Sequence, residues 1–152
     1  MKALKLPEVP KIVLDELLNK FSEEVNFQQL KYPYEVSEEF KNTLERYILD
    51  NTPVSKVGPG WINATKDIDS TINHFDWHTE EKFDFEHNKM ITLWLYGEEN
   101  KGGQFRYITD DGNIHEAPLT PPSYLIMGTH TPHSVEIYKS KTPRISINLN
   151  CC

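Results

Sequence analysis

The sequence predicts a mainly β fold: two sheets closed as a jelly roll, with two N-terminal helices laid on one face. The first observation behind this is a change of hydrophobic period. Up to Pro53 the apolar residues recur at helical spacing, and from Trp61 onward they fall into short β-type runs. The second is punctuation, since Gly, Asx and Pro turn signals separate about eight such runs. The third is size: 152 residues with seven Phe, seven Tyr and three Trp can bury a core without disulfide staples. The chain is expected to form a single domain over 1–152, with 1–53 as helical support and 61–150 as the β core.

Residues 5–10 carry two prolines and read as extended. Residues 12–25 read as a helix, because Val13, Leu17, Phe21 and Val25 recur every four positions and Leu14 and Leu18 widen the stripe. Residues 26–33 read as a break. Ser37 is a good N-cap, Glu38 and Glu39 suit the positive end of a helix, and Phe40, Leu44, Tyr47 and Ile48 form the apolar face of that second helix. Asp50-Asn51-Thr52-Pro53 ends it, and Gly58-Pro59-Gly60 reads as a turn. Strands are expected at 61–64, 70–75, 89–96, 104–108, 113–117, 123–127, 134–138 and 144–150. The prolines at 118, 121, 122, 132 and 143 fall between them, where a missing N–H does least harm.

A net charge of −7 argues against nucleic acid or an anionic membrane surface as the main partner. No secretory signal precedes Pro7 and no apolar run is long enough to span a bilayer, so a cytoplasmic location is expected. The two cysteines, Cys151 and Cys152, are adjacent and cannot staple distant segments. They read as thiols in a frayed tail.

The residues with chemistry begin at His74-Phe75-Asp76. On an extended strand His74 and Asp76 point the same way, while Phe75 and Trp77 point the other way and can be buried. An imidazole beside a carboxylate supplies two members of the two-His, one-carboxylate set that holds iron(II) and leaves open positions. His78-Thr79-Glu80 is a competing pair four residues on, which would serve only if the strand ran further. His133, after the apolar run Tyr124-Leu125-Ile126-Met127 and a Gly-Pro turn, is the expected third ligand, in preference to His130. His87 and His115 read as solvent-facing, Trp94 as core, and the acidic stretch 80–88 as a solvated loop.

Beyond His133, Arg144, Ser146 and Asn148 share one strand face opposite Ile145, Ile147 and Leu149. An inward guanidinium is costly unless paired, and the partner it fits is a carboxylate held bidentately. On 89–96, Thr92, Trp94 and Tyr96 share a face, which places the Tyr96 hydroxyl to donate to the same carboxylate.

From His74 to Asn148 the sequence resembles the prolyl-4-hydroxylase-like branch of the iron(II)/2-oxoglutarate-dependent oxygenases. The resemblance lies in the order of five features. These are His74-Phe75-Asp76, the strand ending at Tyr96, the Gly102-Gly103 turn into Gln104-Phe105, the Pro132-His133-Ser134-Val135 segment, and Arg144-Ile145-Ser146. Gly97-Glu98 departs from the Leu-Asn more often found there in that family.

The resemblance implies a double-stranded β-helix in which His74, Asp76 and His133 hold Fe(II). It implies that Arg144 and Tyr96 bind the far carboxylate of 2-oxoglutarate, with Thr92 and Ser146 lining the pocket and ascorbate as reductant. It implies a dioxygenase that hydroxylates a peptidyl side chain, prolyl first, or a small molecule. Two other readings stay open: a cupin-like metal-binding protein, or a β-sandwich binding module without oxygenase activity. An inward Arg144 separates the oxygenase from the cupin, which has no need of it.

Overall fold

In a computed structural model of the chain, describing residues 3–69, 74–80, 87–117 and 120–152, two antiparallel sheets face one another. The larger contains β1 (Leu4–Lys5), β2 (Phe27–Tyr32), β3 (Val57–Thr65), β5 (Lys89–Tyr96), β8 (Ser123–Gly128) and β10 (Arg144–Cys151). Its order is β1-β8-β5-β10-β3-β2. The smaller contains β4 (Phe75–His78), β6 (Phe105–Ile108), β7 (Ile114–Ala117) and β9 (His133–Val135), in the order β4-β9-β6-β7. Between β1 and β2 runs α1 (Lys11–Lys20), and between β2 and β3 runs α2 (Glu38–Asn51). This is the jelly-roll, double-stranded β-helix architecture the sequence predicts. Residues 70–73 of the expected strand 70–75, residues 81–86 of the acidic stretch, and Pro118 lie outside the described residues.

Alternation along the central strands divides the apolar residues into two sets. Ile62, Ile91, Leu93, Ile145, Ile147 and Leu149 project from one face of the larger sheet and pack with Val13 and Leu17 of α1 and Phe40, Leu44, Tyr47 and Ile48 of α2. Each fully buried side chain of this kind contributes about 1.5–3 kcal/mol. The opposite face closes on the smaller sheet through Met90, Trp94, Leu125, Met127, Phe105 and Tyr107. The helices therefore brace one side of the larger sheet and leave its other side for the site.

The second helix follows its sequence signals. Ser37 Oγ accepts from Phe40 N at 3.0 Å, and Glu38 and Glu39 occupy the first turn. The first helix stops at Lys20, short of the expected residue 25, and Val25 is exposed. The reason is tertiary. Asn26 donates to Asp69 Oδ1 at 2.6 Å and accepts from Ile68 N at 3.0 Å, and this launches β2 where the sequence reads as a break.

Gly58-Pro59-Gly60 is likewise not a turn but part of β3. A register shift between Leu149 and Cys151 accommodates it, and β2 ends opposite Gly60, so no strand on that side needs the N–H that Pro59 lacks. Gly60 is required there, because a Cβ would lie 1.9 Å from the Asn148 carbonyl oxygen.

The C-terminal residues are not frayed. Cys151 is the last residue of β10, buried between β5 and β3, and the Cys152 backbone bonds to Lys56 in both directions. Burial pushes the Cys151 thiol up to about 11. In the native protein an alkylating reagent is therefore expected to spare Cys151 and modify only the half-buried Cys152, one adduct by intact mass against two after unfolding. Among the described residues, no helix is long and apolar enough to cross a membrane.

Candidate active site

β4 and β9 pair in the smaller sheet with Phe75 opposite Val135 and His78 opposite His133. Two residues of β4, Asp76 and Trp77, thus span the distance that Ser134 alone spans on β9. That is a β-bulge, and it breaks the period-two alternation on which the expectation for His74 and Asp76 rests. Phe75 and His78 both face the space between the sheets. Asp76 is turned out to solvent with its side chain 94% exposed, its Oδ1 lying 3.2 Å from His74 Nε2. The structure does not bring His74 or Asp76 to His133. Trp77 and Phe75, expected to be buried, remain partly exposed.

What meets His133 is the second His-x-carboxylate pair. His133 Nε2 lies 2.9 Å from Glu80 Oε1, and His78 Nε2 lies 3.1 Å from the same oxygen. The two imidazole rings are 4.3 Å apart. On the far side of each ring, Nδ1 donates to a backbone carbonyl: His133 to Thr131 at 2.8 Å and His78 to Asp76 at 2.6 Å. Those bonds hold both rings in the orientation that turns Nε2 toward Glu80. Glu80 is itself anchored, its N–H donating to the Thr129 carbonyl at 3.0 Å. One ligand atom from each of the three residues lies within 4.8 Å of the others. The set can hold one divalent cation on one face and leave the other open. Among the described residues no other cluster of His, Cys, Asp and Glu does so.

The facing sheet supplies the other half of the site. Arg144, Ser146 and Asn148 line a cavity of about 360 Å³ together with Thr92, His78, Glu80 and His133. Thr92 Oγ1 donates to Asn148 Oδ1 at 2.7 Å. Arg144 is only 7% exposed, donates to the Gly103 carbonyl, and sits over the Tyr138 ring at 5.5 Å. Burial lowers its pKa to about 10. Among the described residues no carboxylate pairs with it. A desolvated guanidinium in that position is satisfied best by an incoming carboxylate.

Tyr96 does not face this cavity. β5 and β10 slip by one residue between Ile145 and Ser146, so Leu95 is the extra residue and Tyr96 opposes Ile145, on the helix-covered face. His87, expected at the surface, is 5% exposed and packs against Gly58, whose missing Cβ makes room for the ring. His115 is exposed as expected, and His130, the rival to His133, is exposed as well.

Glu80 is held down to about 2 by its hydrogen bonds to His133 and His78, and the bond to Glu80 raises the pKa of His78. The two shifts describe one interaction and are counted once. The carboxylate contribution is present above the ordinary Glu value of 4.5 and is lost as pH falls toward about 2. The imidazole contribution is complete below 6.5 and is lost as pH rises through the raised value. The metal-free protein is therefore expected to be most stable between these limits and to lose about 3 kcal/mol on the acid side. In Glu80→Gln that acid-side loss should largely disappear, as read by urea denaturation across pH.

No protein-family model matches the chain, and comparison with the curated proteins finds no match. Solved structures do match. An oxidoreductase of the 2OG-Fe(II) oxygenase family from Burkholderia pseudomallei superposes with a TM-score of 0.65 at 14% identity, over 91% of this chain and 75% of that one. A prolyl hydroxylase from Trichoplax adhaerens, in complex with a hypoxia inducible factor oxygen degradation domain peptide fragment, gives 0.64 at 13% identity, over 91% and 76%. A viral collagen prolyl hydroxylase from Paramecium Bursaria Chlorella virus-1, as its 2OG complex, gives 0.59 at 14% identity, over 99% and 95%. The chain has the fold of the iron(II)/2-oxoglutarate oxygenases, prolyl hydroxylases among them.

Proposed function

We propose that the protein is an iron(II)- and 2-oxoglutarate-dependent oxygenase that hydroxylates a peptide side chain, with residues 1–152 acting as one unit. The observation that carries the reading is the shared cavity: two imidazoles and a carboxylate on one wall, and on the other a buried guanidinium that no carboxylate pairs with among the described residues. His78, Glu80 and His133 would hold the iron. Arg144 would take the far carboxylate of 2-oxoglutarate, with Thr92, Ser146 and Asn148 lining its path. Bound iron would supply the activation of dioxygen coupled to decarboxylation of the 2-oxo acid to succinate, and through it the hydroxylation.

The chain's own contributions are binding, orientation and exclusion of water. The backbone carbonyls of Thr131 and Asp76 keep both Nε2 atoms facing the metal position. Phe105 stacks on the His133 ring at 5.4 Å and meets Trp94 edge-on at 5.3 Å, which makes that wall of the cavity apolar and dry. Arg144 fixes which end of the co-substrate enters first.

A peptide substrate is supported by the cavity mouth. Phe75 and Trp61 line the cavity, and Phe27 meets Phe75 edge-to-face at 5.6 Å; these partly exposed rings suit a peptide side chain presented from outside. The complex of the Trichoplax neighbour with a peptide points the same way. The test is succinate formation from 2-oxoglutarate with iron(II) and ascorbate, with and without prolyl peptides. Metal-dependent succinate that disappears in His133→Ala is expected. No succinate from the metal-loaded protein under any of these conditions would reject the reading.

A further inference from the structure

The guanidinium of Arg144 occupies a slot whose walls are two glycines and a tyrosine ring. A Cβ on Gly103 would lie 2.1 Å from Arg144 Nη1 and 3.1 Å from its Cζ. On Gly97 it would lie 3.0 Å from Arg144 Cγ and 3.3 Å from its Cβ. Tyr138, 1% exposed, supplies the floor with its ring, and its hydroxyl accepts from Glu98 N at 3.1 Å and donates to the Thr142 carbonyl at 2.9 Å. That hydroxyl ties the turn after β5 to the turn before β10, the two segments that flank Arg144. The Gly103 carbonyl meanwhile accepts from Nη1. Both glycines have positive φ, +150° at Gly97 and +73° at Gly103, so the backbone disfavours a side chain at each, and a Cβ on Gly103 would fit only by displacing the Arg144 head.

We propose that Gly97, Gly103 and Tyr138 are positioning residues for 2-oxoglutarate: they set the place of the Arg144 guanidinium and, through it, the affinity for the co-substrate. This rests on the reading of Arg144 as the co-substrate anchor. An arginine side chain has many rotamers, and binding a carboxylate bidentately requires one of them. Here that freedom is removed before the ligand arrives, by steric walls on two sides, an aromatic face and one fixed hydrogen bond. Gly103 does most, because a Cβ there would come closest to the charged head.

Gly103→Ala is expected to raise the KM for 2-oxoglutarate about 10- to 100-fold in uncoupled succinate formation, by displacing the guanidinium. Affinity for Mn(II) should stay within about 2-fold, because His78 and His133 lie on β4 and β9 and Glu80 just after β4, none of them among the atoms nearest the added methyl. Gly112→Ala is the control for backbone strain. It has φ +81° on an exposed turn, with nothing within 4 Å of the added Cβ, and should leave the KM unchanged.

The steric mechanism is isolated by a cycle, since Gly103→Ala should add no further loss of kcat/KM for 2-oxoglutarate in an Arg144→Ala background. If Gly103→Ala does not fold, Gly97→Ala replaces it, with the same direction and a smaller rise. An unchanged KM in the folded variant, or an equal loss with and without Arg144, would overturn the proposal. A wild-type protein that forms no succinate would instead strike the oxygenase reading, so the two failures are distinguishable.

Discussion

Glu80→Ala is expected to weaken iron(II) binding by at least about 100-fold and to abolish metal-dependent succinate formation, whereas Asp76→Ala leaves both near wild type. The contrast follows from where the bulge in β4 places the two carboxylates. Glu80 Oε1 receives both imidazoles, while Asp76 has its side chain 94% exposed on the outer surface. His133→Ala should match Glu80→Ala, and His74→Ala should match Asp76→Ala. Equilibrium titration with Mn(II), read by electron paramagnetic resonance, measures binding apart from turnover. Metal binding that survives Glu80→Ala and is lost in Asp76→Ala would show that the bulge is misplaced and that the earlier pair holds the metal.

Arg144→Met is expected to raise the KM for 2-oxoglutarate about 150- to 5,000-fold without lowering stability. Removing one partner of a buried carboxylate–guanidinium pair costs about 3–5 kcal/mol, which sets that range. In the free protein the guanidinium has no carboxylate partner among the described residues, and burial lowers its pKa to about 10. Below that value the folded state carries the full cost of desolvating the charge. Methionine fills similar volume without it, so the free variant should be as stable as wild type or up to ~2 kcal/mol more so, after losing the bond to Gly103 and the contact with Tyr138. Urea denaturation in the absence of 2-oxoglutarate checks stability. A variant both unstable and still tight for 2-oxoglutarate would mean that Arg144 is structural.

The architecture was legible in the sequence because burial enforces periodicity. Alternation in β10 correctly separates Arg144, Ser146 and Asn148 from Ile145, Ile147 and Leu149, and the Ser37 cap correctly starts α2. His133, Arg144, Thr92 and Ser146 lie in one cavity, as their strand positions predict. What the sequence hid were bulges. One in β4 turns His74 and Asp76 outward and brings His78 inward, and one between β5 and β10 turns Tyr96 onto the helix side. A bulge is decided by two strands together, so no single-strand pattern announces it. β2 was missed for a similar reason: its pairing with β3 and the side-chain bonds of Asn26 outweigh a weak local signal. The one trace in the sequence of the pair that meets His133 is the repetition of a His-x-carboxylate spacing at His78 and Glu80.

The most direct test of the shared cavity is anaerobic titration of the iron(II)-loaded protein with 2-oxoglutarate, followed by visible absorption. A saturable change of the metal spectrum that vanishes in Glu80→Ala and needs far more 2-oxoglutarate in Arg144→Met is the result expected. A metal-loaded wild type whose spectrum is indifferent to 2-oxoglutarate would contradict it.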